Sequence, residues 1–155
     1  DDLNQLLRGI PNAKSIPGAG ITLNYGLVEL DSALGFADTV KSLRSAILSE
    51  ADTVWFYDLD YQREAKLQGV KLPSAQLLVF GAPAPGATAM RAYPSIGLDA
   101  FGQKVLVYQQ GDTVKVIYND IPAFATLHYQ GSALVHHVIK FRLKQTLAGA
   151  IEGQD

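Results

Sequence analysis

The residues with the clearest capacity for chemistry follow a predicted strand, where Tyr118, Asn119 and Asp120 precede a helix that carries His128. Imidazole changes its charge near neutral pH, so His128 could transfer a proton or bind a metal ion. A histidine at such a position could equally hydrogen-bond Asp120 or a loop carbonyl and serve only the fold. His128 is therefore the best single candidate for chemistry, with a structural role as its alternative.

Two more histidines, His136 and His137, are adjacent in the last predicted helix. They cannot chelate one ion as a pair, because successive helical residues point about 100 degrees apart. They share a predicted helix side with two lysines, which favours a solvated face over metal ligation. A haem iron held by His128 with Met90 or another histidine stays open as a second reading, although the chain has no CxxCH motif.

Other catalytic patterns are weak or missing. Asp58 and Asp60 lie on the same side of a predicted strand and could form a carboxylate pair, but Asp60 is also placed to cap the helix that follows. The chain lacks the nucleophile elbow Gly-x-Ser-x-Gly and the GxxxxGK phosphate loop, and the prolines between Gly81 and Gly86 remove amide donors. An enzyme is therefore the third reading, after a binding domain and a haem or metal protein.

Composition narrows the function further. The 155 residues, 48% of them hydrophobic, suffice for one domain with a substantial core. A net charge of -2 from 13 basic and 15 acidic residues gives no basic stripe for nucleic acid. The absence of cysteine excludes disulfides and cysteine-ligated metals, and no apolar run is long enough to predict a transmembrane segment. The polar start at Asp1 favours a periplasmic or secreted protein, with a cytoplasmic one as the alternative.

Apolar periodicity predicts the elements that would position these side chains. Phe36, Val40, Leu43 and Ile47 follow one another at steps of four, three and four, which is the stripe of an amphipathic helix capped by Gly35. Further helices are predicted after Asp60, after Asp120, and from 134 to 151. A hairpin is predicted around Gln110-Gly111-Asp112, where two strands rich in β-branched residues meet.

The middle of the chain is predicted to build a pocket. Its strands 53–57 and 76–80 are almost entirely apolar, which predicts that both are covered on their two faces. A Pro/Gly-rich loop from Gly81 to Gly102 follows, and its many apolar residues predict that it packs back over the end of the sheet. The pocket would lie between this loop and the end of the strand at Tyr118.

Three segments are predicted along the chain. Residues 1–26 form an N-terminal extension with a short helix and a connector, residues 27–131 form the main domain, and residues 132–155 form a C-terminal helix packed on that domain. The first strand is predicted across Ile21 to Leu30, with a bulge at Gly26.

The last helix shows an apolar stripe of its own. Leu134, Val138 and Phe141 recur at helical spacing and are predicted to face the core. His136 and His137 would then lie on the opposite, solvated side.

Several motifs occur in the order and spacing of a known family. They are the helix 36–46, the helix 60–69 before Pro73, Phe80-Gly81-Ala82-Pro83 with Gly86, Pro94 before Leu98-Asp99, and Tyr118-Asn119-Asp120 before His128. Through these motifs, which cover roughly residues 27–131, the chain resembles the DUF302 family. It departs from the family where Ala82 replaces an asparagine, where Ala100-Phe101 replace Leu-Pro, and where Tyr61 replaces a frequent histidine.

The resemblance implies an α+β fold with a single antiparallel sheet and helices packed on one face. The arrangement would be TBP-like, in β-α-β-β-β-β-α order with an added C-terminal helix. The family is commonly homodimeric and has no established activity. His128 matches a histidine of the family, which adds to its candidacy.

These observations lead to one functional expectation. The chain is expected to be a non-catalytic domain that binds a small molecule or a protein and acts as a homodimer, with no cofactor unless haem is bound. The predicted ligand-binding residues line the loop and the end of the sheet: Gly81, Met90, Tyr93, Tyr118, Asn119 and His128.

Overall fold

The structure, a computed structural model, describes residues 24–98, 101–129 and 134–153; the side chains of Ala92, His128 and Tyr129 lie outside this description. Strands and helices alternate along the first two thirds of the chain. In order they are β1 (Leu27–Ser32), α1 (Phe36–Ser49), β2 (Val54–Asp60), α2 (Tyr61–Leu67), β3 (Ala75–Gly81), α3 (Pro83–Ala92), a 3-10 helix (Pro94–Leu98), β4 (Gln103–Gln110), β5 (Thr113–Asn119), α4 (Ile121–Tyr129) and α5 (Leu134–Ile151).

The five strands form one antiparallel sheet in the order β1-β5-β4-β3-β2, so the predicted fold class is confirmed. Alternate residues of the three central strands point into a core beneath the helices, because side chains in a strand change face at each residue. These core residues are Leu78, Phe80, Val105, Val107, Val114, Val116 and Tyr118. We call this side of the sheet the packed face.

The other side, the open face, corrects the prediction that the apolar strands are covered twice. Leu77 and Val79 of β3 are only half-buried there, between the buried Leu78 and Phe80. The edge strand β2 is more exposed still, and 57% of the surface of Tyr57 is accessible to solvent. The sequence predicts burial on both faces because the residues on the open face are as apolar as those on the packed face.

Helix α1 confirms its predicted position and orientation. Gly35 is the N-cap, Asp38 lies in the first turn, and Leu43 and Ile47 are buried, whereas Lys41 on the opposite side is exposed. The acidic side chain in the first turn complements the positive end of the helix. The same helix then packs against α5, which makes the two helices the main cover of the sheet.

The shorter predicted elements are also confirmed. The Asp60 carboxylate accepts a hydrogen bond from the Arg63 amide at 2.9 Å and so caps α2, which is followed by Gly69 with φ of +74°. The hairpin turns at Gly111, whose φ is +58°.

The predicted first strand with a bulge at Gly26 is wrong in detail. Gly26 lies in a turn with φ of +83°, and β1 begins only at Leu27. The helix predicted within residues 1–9 lies outside the described residues.

The predicted long loop after β3 is wrong, because most of it is helical. Pro83 and Pro85 fall in the first turn of α3, where backbone amides have no intrahelical acceptor and the missing N-H groups cost little. Helix α3 continues through Met90, and the 3-10 helix follows it. Ile96 of the 3-10 helix is fully buried, as expected for a segment that packs back on the body.

The predicted orientation of α5 is wrong by half a turn. Leu134, Val138 and Phe141 are 81%, 46% and 63% exposed, whereas His136 is fully buried. The buried stripe runs through His136, Ile139, Leu143, Leu147 and Ile151. Both sides of α5 carry apolar residues at helical spacing. Periodicity alone therefore favours the side with Leu134, Val138 and Phe141, because the other side contains the polar His136.

Candidate functional site

A small apolar cavity lies between α5, the C-terminal end of α1 and the first turn of α3. Its volume is about 60 Å³. The buried stripe of α5 brings three leucine or isoleucine side chains to this space, and the neighbouring elements complete the wall. The apolar wall consists of Ile47, Phe80, Ala82, Pro85, Val138, Ile139, Leu143 and Leu147.

The packed face forms the base of the cavity with the ring of Phe80. Phe80 of β3 pairs with Trp55 of β2 on one side and Gln103 of β4 on the other. The rings of Trp55 and Phe80 stack with centroids 6.1 Å apart. Gln103 is buried and adds an amide beside this ring. A ligand in the cavity would therefore contact the Phe80 ring, which Trp55 supports from behind, with the Gln103 amide beside it.

A charged network stands at one side of the cavity and joins α5 to the end of α1. The Arg142 guanidinium donates to the two carboxylate oxygens of Asp52 at 2.7 and 2.6 Å and to Glu50 at 3.2 Å. The Thr146 hydroxyl lies 3.0 Å from the second oxygen of Glu50. Such a two-point contact fixes the guanidinium in one orientation.

The pKa shifts at this network follow from the same contacts. The hydrogen bond from Arg142 lowers the pKa of Asp52, and hydrogen bonding to Asp52 raises the pKa of Arg142. Both groups are therefore held in their charged forms at neutral pH. Because the acid on the wall, Glu50, already accepts from Arg142 and Thr146, the arrangement suits ligand binding better than proton transfer.

Metal ligation has little support in the described part of the chain. There, no three histidine, aspartate or glutamate side chains come together as a metal site. Within those same residues, no helix combines the length and apolarity needed to cross a bilayer.

A family model described as "domain of unknown function DUF302" matches residues 28–152. The chain belongs to the DUF302 family. The match extends through β1 to the end of α5, so both walls of the cavity lie within the DUF302 domain.

Two kinds of relative are similar to this DUF302 chain. A crystal structure of an uncharacterized DUF302 protein from Bacillus stearothermophilus shows the same fold, with a TM-score of 0.66, 15% identity, and coverage of 81% of this chain and 95% of that one. Fluoride-specific ion channels FluC 1 of Brucella suis and Brucella abortus are each 29% identical over 116 residues, which is 74% of this chain. The chain spans less than half the length of these channels, 45% and 42%.

Three of the predicted site residues of the DUF302 domain have clear packing roles. A Cβ at Gly81 would overlap the carbonyl oxygen of Phe101, so the site needs glycine for close approach of two backbones. Met90 lies against Gly97, where a Cβ would be 2.6 Å from its terminal methyl group. The ring of Tyr93 packs against the core, 6.5 Å from the ring of His136.

Tyr118 and Asn119 are separated by the pleat of β5. Tyr118 is buried on the packed face, and burial together with the nearby charge of Asp120 raises the pKa of its hydroxyl. Asn119 points to the open face, opposite Leu27 of β1. His128 lies in α4, and its side chain is outside the described residues. Neither Tyr118 nor Asn119 lines the cavity, although Phe80 and Ala82, the residue after Gly81, do.

The acidic residues considered for catalysis have separate structural partners. Asp120 accepts from the Ala123 amide at 3.3 Å and from the Lys140 ammonium at 2.6 Å, which ties the start of α4 to α5. Asp58 forms an ion pair with Arg44, whereas Asp60 caps α2. Each of these carboxylates therefore has a structural partner of its own.

Two residues near the site were missed from the sequence. His136 is fully buried, and its burial lowers the pKa of the imidazole, so it is neutral at pH 7. Its spacing of three and seven from Ile139 and Leu143 was a readable signal of a shared helix face. Arg142 had no such signal, because its partner Asp52 is 90 residues away in the chain.

Proposed function

We propose that this DUF302 domain is a non-catalytic binding domain for a small apolar molecule. The supporting observation is the cavity under α5, whose wall is apolar apart from Thr53, the Gln103 amide and the network around Arg142. Small-molecule sites in proteins are typically apolar with a few placed polar groups. The charged groups at this wall are already paired with each other, which favours a neutral group inside it.

The size of the cavity limits what can enter. A cavity of about 150 Å³ binds benzene in a well-studied protein interior. The present volume of about 60 Å³ is less than half of that, so it accommodates a group of only a few non-hydrogen atoms.

The test uses small apolar probes, xenon and 1-butanol. Val138 lines the cavity and is 46% exposed, so Val138→Phe should fill the entrance at little cost in stability. The matched control is Leu48→Phe, an equally exposed apolar position on α1 that does not line the cavity. Methyl chemical shifts near Leu143 report occupancy. Saturable shifts in the wild type and in Leu48→Phe, lost in Val138→Phe, are expected; no saturable shift in the wild type would contradict the proposal.

We propose further that the domain acts as a homodimer through the open face of the sheet. Register places Leu59, Leu77, Leu106 and Ile117 in one apolar row across four strands, and none of them is fully buried. An apolar sheet face of this kind favours a partner surface. Lys115, paired with both Glu29 and Asp31, borders the row at the β1 edge.

Sedimentation tests the dimer. Leu106→Asp, in the centre of the open face, should convert a dimer to a monomer at micromolar concentration. Leu48→Asp places the same charge on an exposed helix position and should leave the dimer intact. A monomeric wild type would remove this part of the proposal.

The haem or metal alternative through His128 stays a prediction, as does the periplasmic or secreted location. Met90, its suggested partner, packs against Gly97 and the core. An absorption spectrum with a Soret band from protein purified without chelator would support haem. Fluoride conduction is not part of this proposal, because it is the named activity of proteins more than twice as long as the matched segment.

A further inference from the structure

Helix α5 carries an apolar stripe that faces solvent, which we call the outward stripe. It consists of Leu134, Val138 and Phe141, which follow one another at steps of four and three and are 81%, 46% and 63% exposed. Helical residues at these steps lie on one side of the helix. An exposed phenylalanine within a stripe of apolar residues indicates a contact with another surface.

The first 23 residues of the chain contain a matching apolar stripe. Leu3, Leu6 and Leu7 recur at the spacing of one helix face, and Gly9 and Pro11 end the helix that this spacing predicts over residues 1–9. These residues lie outside those that the structure describes. The sequence therefore supplies an apolar helix face for which the described structure offers a partner of the same kind.

The chain enters the described structure beside α4 and α5. The Gly26 carbonyl accepts a hydrogen bond from the Asp120 amide at 2.7 Å, and a Cβ at Gly26 would lie 3.3 Å from the ring of Phe124 in α4. Asp120 in turn pairs with Lys140 of α5 at 2.6 Å, and Phe141 is the next residue along that helix. The first 23 residues therefore join the domain close to the outward stripe.

The lengths of the two stripes and of the connector permit contact between them. At about 1.5 Å per residue, the outward stripe from Leu134 to Phe141 covers roughly 10 Å, and a helix over residues 1–9 covers about 13 Å. Residues 10–23, which join this helix to the described structure, can span up to about 45 Å when they are extended. The connector is therefore long enough to place the two stripes side by side.

Charge favours one direction of packing. Helix α5 contains three lysine or arginine residues and no acidic one, whereas the chain before it begins with Asp1 and Asp2. Lys144 follows Phe141 by three residues, is exposed, and takes part in none of the ion pairs that join the described residues. An antiparallel arrangement of the two helices brings the acidic end of the segment toward Lys144.

We infer that residues 1–9 pack as an amphipathic helix on the outward stripe of α5, antiparallel to it, with their leucines against Phe141 and Val138. In this position the segment also covers Val138, which lines the cavity, so it shields that side of the cavity from solvent. The inference does not depend on what the cavity binds, because it concerns contact between two parts of one chain.

Cross-linking tests the contact directly, because the chain contains no cysteine and introduced thiols are unique. Asn4→Cys is combined with Gln145→Cys, since Gln145 is exposed and follows Phe141 by four residues on the same side of α5. In the matched control Ser45→Cys, at an exposed position on α1, replaces Gln145→Cys. With a short bismaleimide reagent, the intramolecular cross-link to position 145 should form at least about tenfold faster than the cross-link to position 45.

Further substitutions in the doubly substituted protein identify the surfaces in contact. Leu6→Ser and Phe141→Ser should each lower the rate of cross-linking at position 145 about fivefold or more, because each removes apolar contact area. Lys144→Gln should lower this rate about two- to fourfold at low salt. Gln5→Ser, on the opposite side of the predicted helix, is the matched control and should leave the rate unchanged.

Three results would overturn the inference. The first is an equal rate of cross-linking at positions 145 and 45, and the second is a Leu6→Ser variant that cross-links as fast as the protein without it. The third is a cross-link between two chains, seen as a product of twice the mass whose rate rises with protein concentration, which would identify a second copy as the occupant of the outward stripe. None of these results bears on the binding of xenon or 1-butanol in the cavity, which is tested separately.

Discussion

The two faces of the sheet carry similar residues and differ in what covers them. On the packed face Leu78, Val105 and Val116 are fully buried under the helices. On the open face their chain neighbours Leu77 and Leu106 are equally apolar but only half-buried. An apolar strand can therefore be buried on either face. The position of the helices decides which of the two faces is buried.

Helix α5 repeats this contrast within one element. Its inward stripe includes a buried histidine, and its outward stripe includes an exposed phenylalanine. Burial therefore follows contact with α1, α3 and α4 more than it follows residue type.

The largest effect on stability is expected from a comparison of two adjacent residues, one on each face of the sheet. Phe80→Ala should destabilise the protein by about 3 to 5 kcal/mol, because it removes a buried ring that stacks on Trp55. Val79→Ala, on the open face, should cost about 1 kcal/mol or less. Denaturant unfolding measures both. Equal losses would show that the open face is as well covered as the packed face, as in a tight dimer.

The next effect contrasts the two neighbouring histidines of α5. His136→Ala should cost about 2 to 4 kcal/mol, since it empties a fully buried position, whereas His137→Ala should stay within about 0.5 kcal/mol. Unfolding midpoints of the two variants decide the matter. A larger loss of stability for His137→Ala would mean that the opposite side of α5 faces the core.

The same histidine predicts a pH dependence. Burial lowers the folded-state pKa of His136 below its usual 6.5, so below that value the unfolded chain binds a proton that the folded chain does not. The contribution to stability is complete above about pH 6.5 and is lost as the pH falls toward the folded pKa. His136→Gln should remove this dependence, and His137→Gln should retain it.

A smaller effect tests the close approach at the end of β3. Gly81→Ala should cost about 1 to 3 kcal/mol, because its methyl group meets the backbone of Phe101. Gly102→Ala, where a Cβ has open space, is the matched control and should be nearly neutral. Thermal unfolding compares them. A neutral Gly81→Ala would mean that the two backbones can separate freely.

The smallest effect concerns the network beside the cavity. Arg142→Ala should cost about 1 kcal/mol, since the pair with Asp52 is partly exposed to solvent. Because Arg142 lowers the pKa of Asp52, the contribution is present above the usual aspartate value of 3.8 and is lost as the pH falls through the folded value. Unfolding at pH 7 and pH 3 measures this; an Arg142→Ala effect that persists unchanged at pH 3 would exclude the ion pair as its source.

Local sequence signals predict much of the fold but little of the candidate site. Helix α1, the cap at Asp60 and the turn at Gly111 depend on neighbours within a few residues, and each was predicted in place. Helix α3 is not predicted by local signals, because proline breaks most helices and is tolerated only in the first turn, where Pro83 and Pro85 lie. The cavity was not predicted, since its wall draws on residues from 47 to 147.

The sequence by itself determined the class of fold, the order of most elements and the family. These follow from periodicity, capping and turn chemistry, which act over short distances along the chain. Only the tertiary structure decided which face of the sheet and which stripe of α5 is buried, and which charges meet at Arg142. Those outcomes depend on contacts between residues far apart in the chain, and two equally apolar faces give the sequence no means to choose between them.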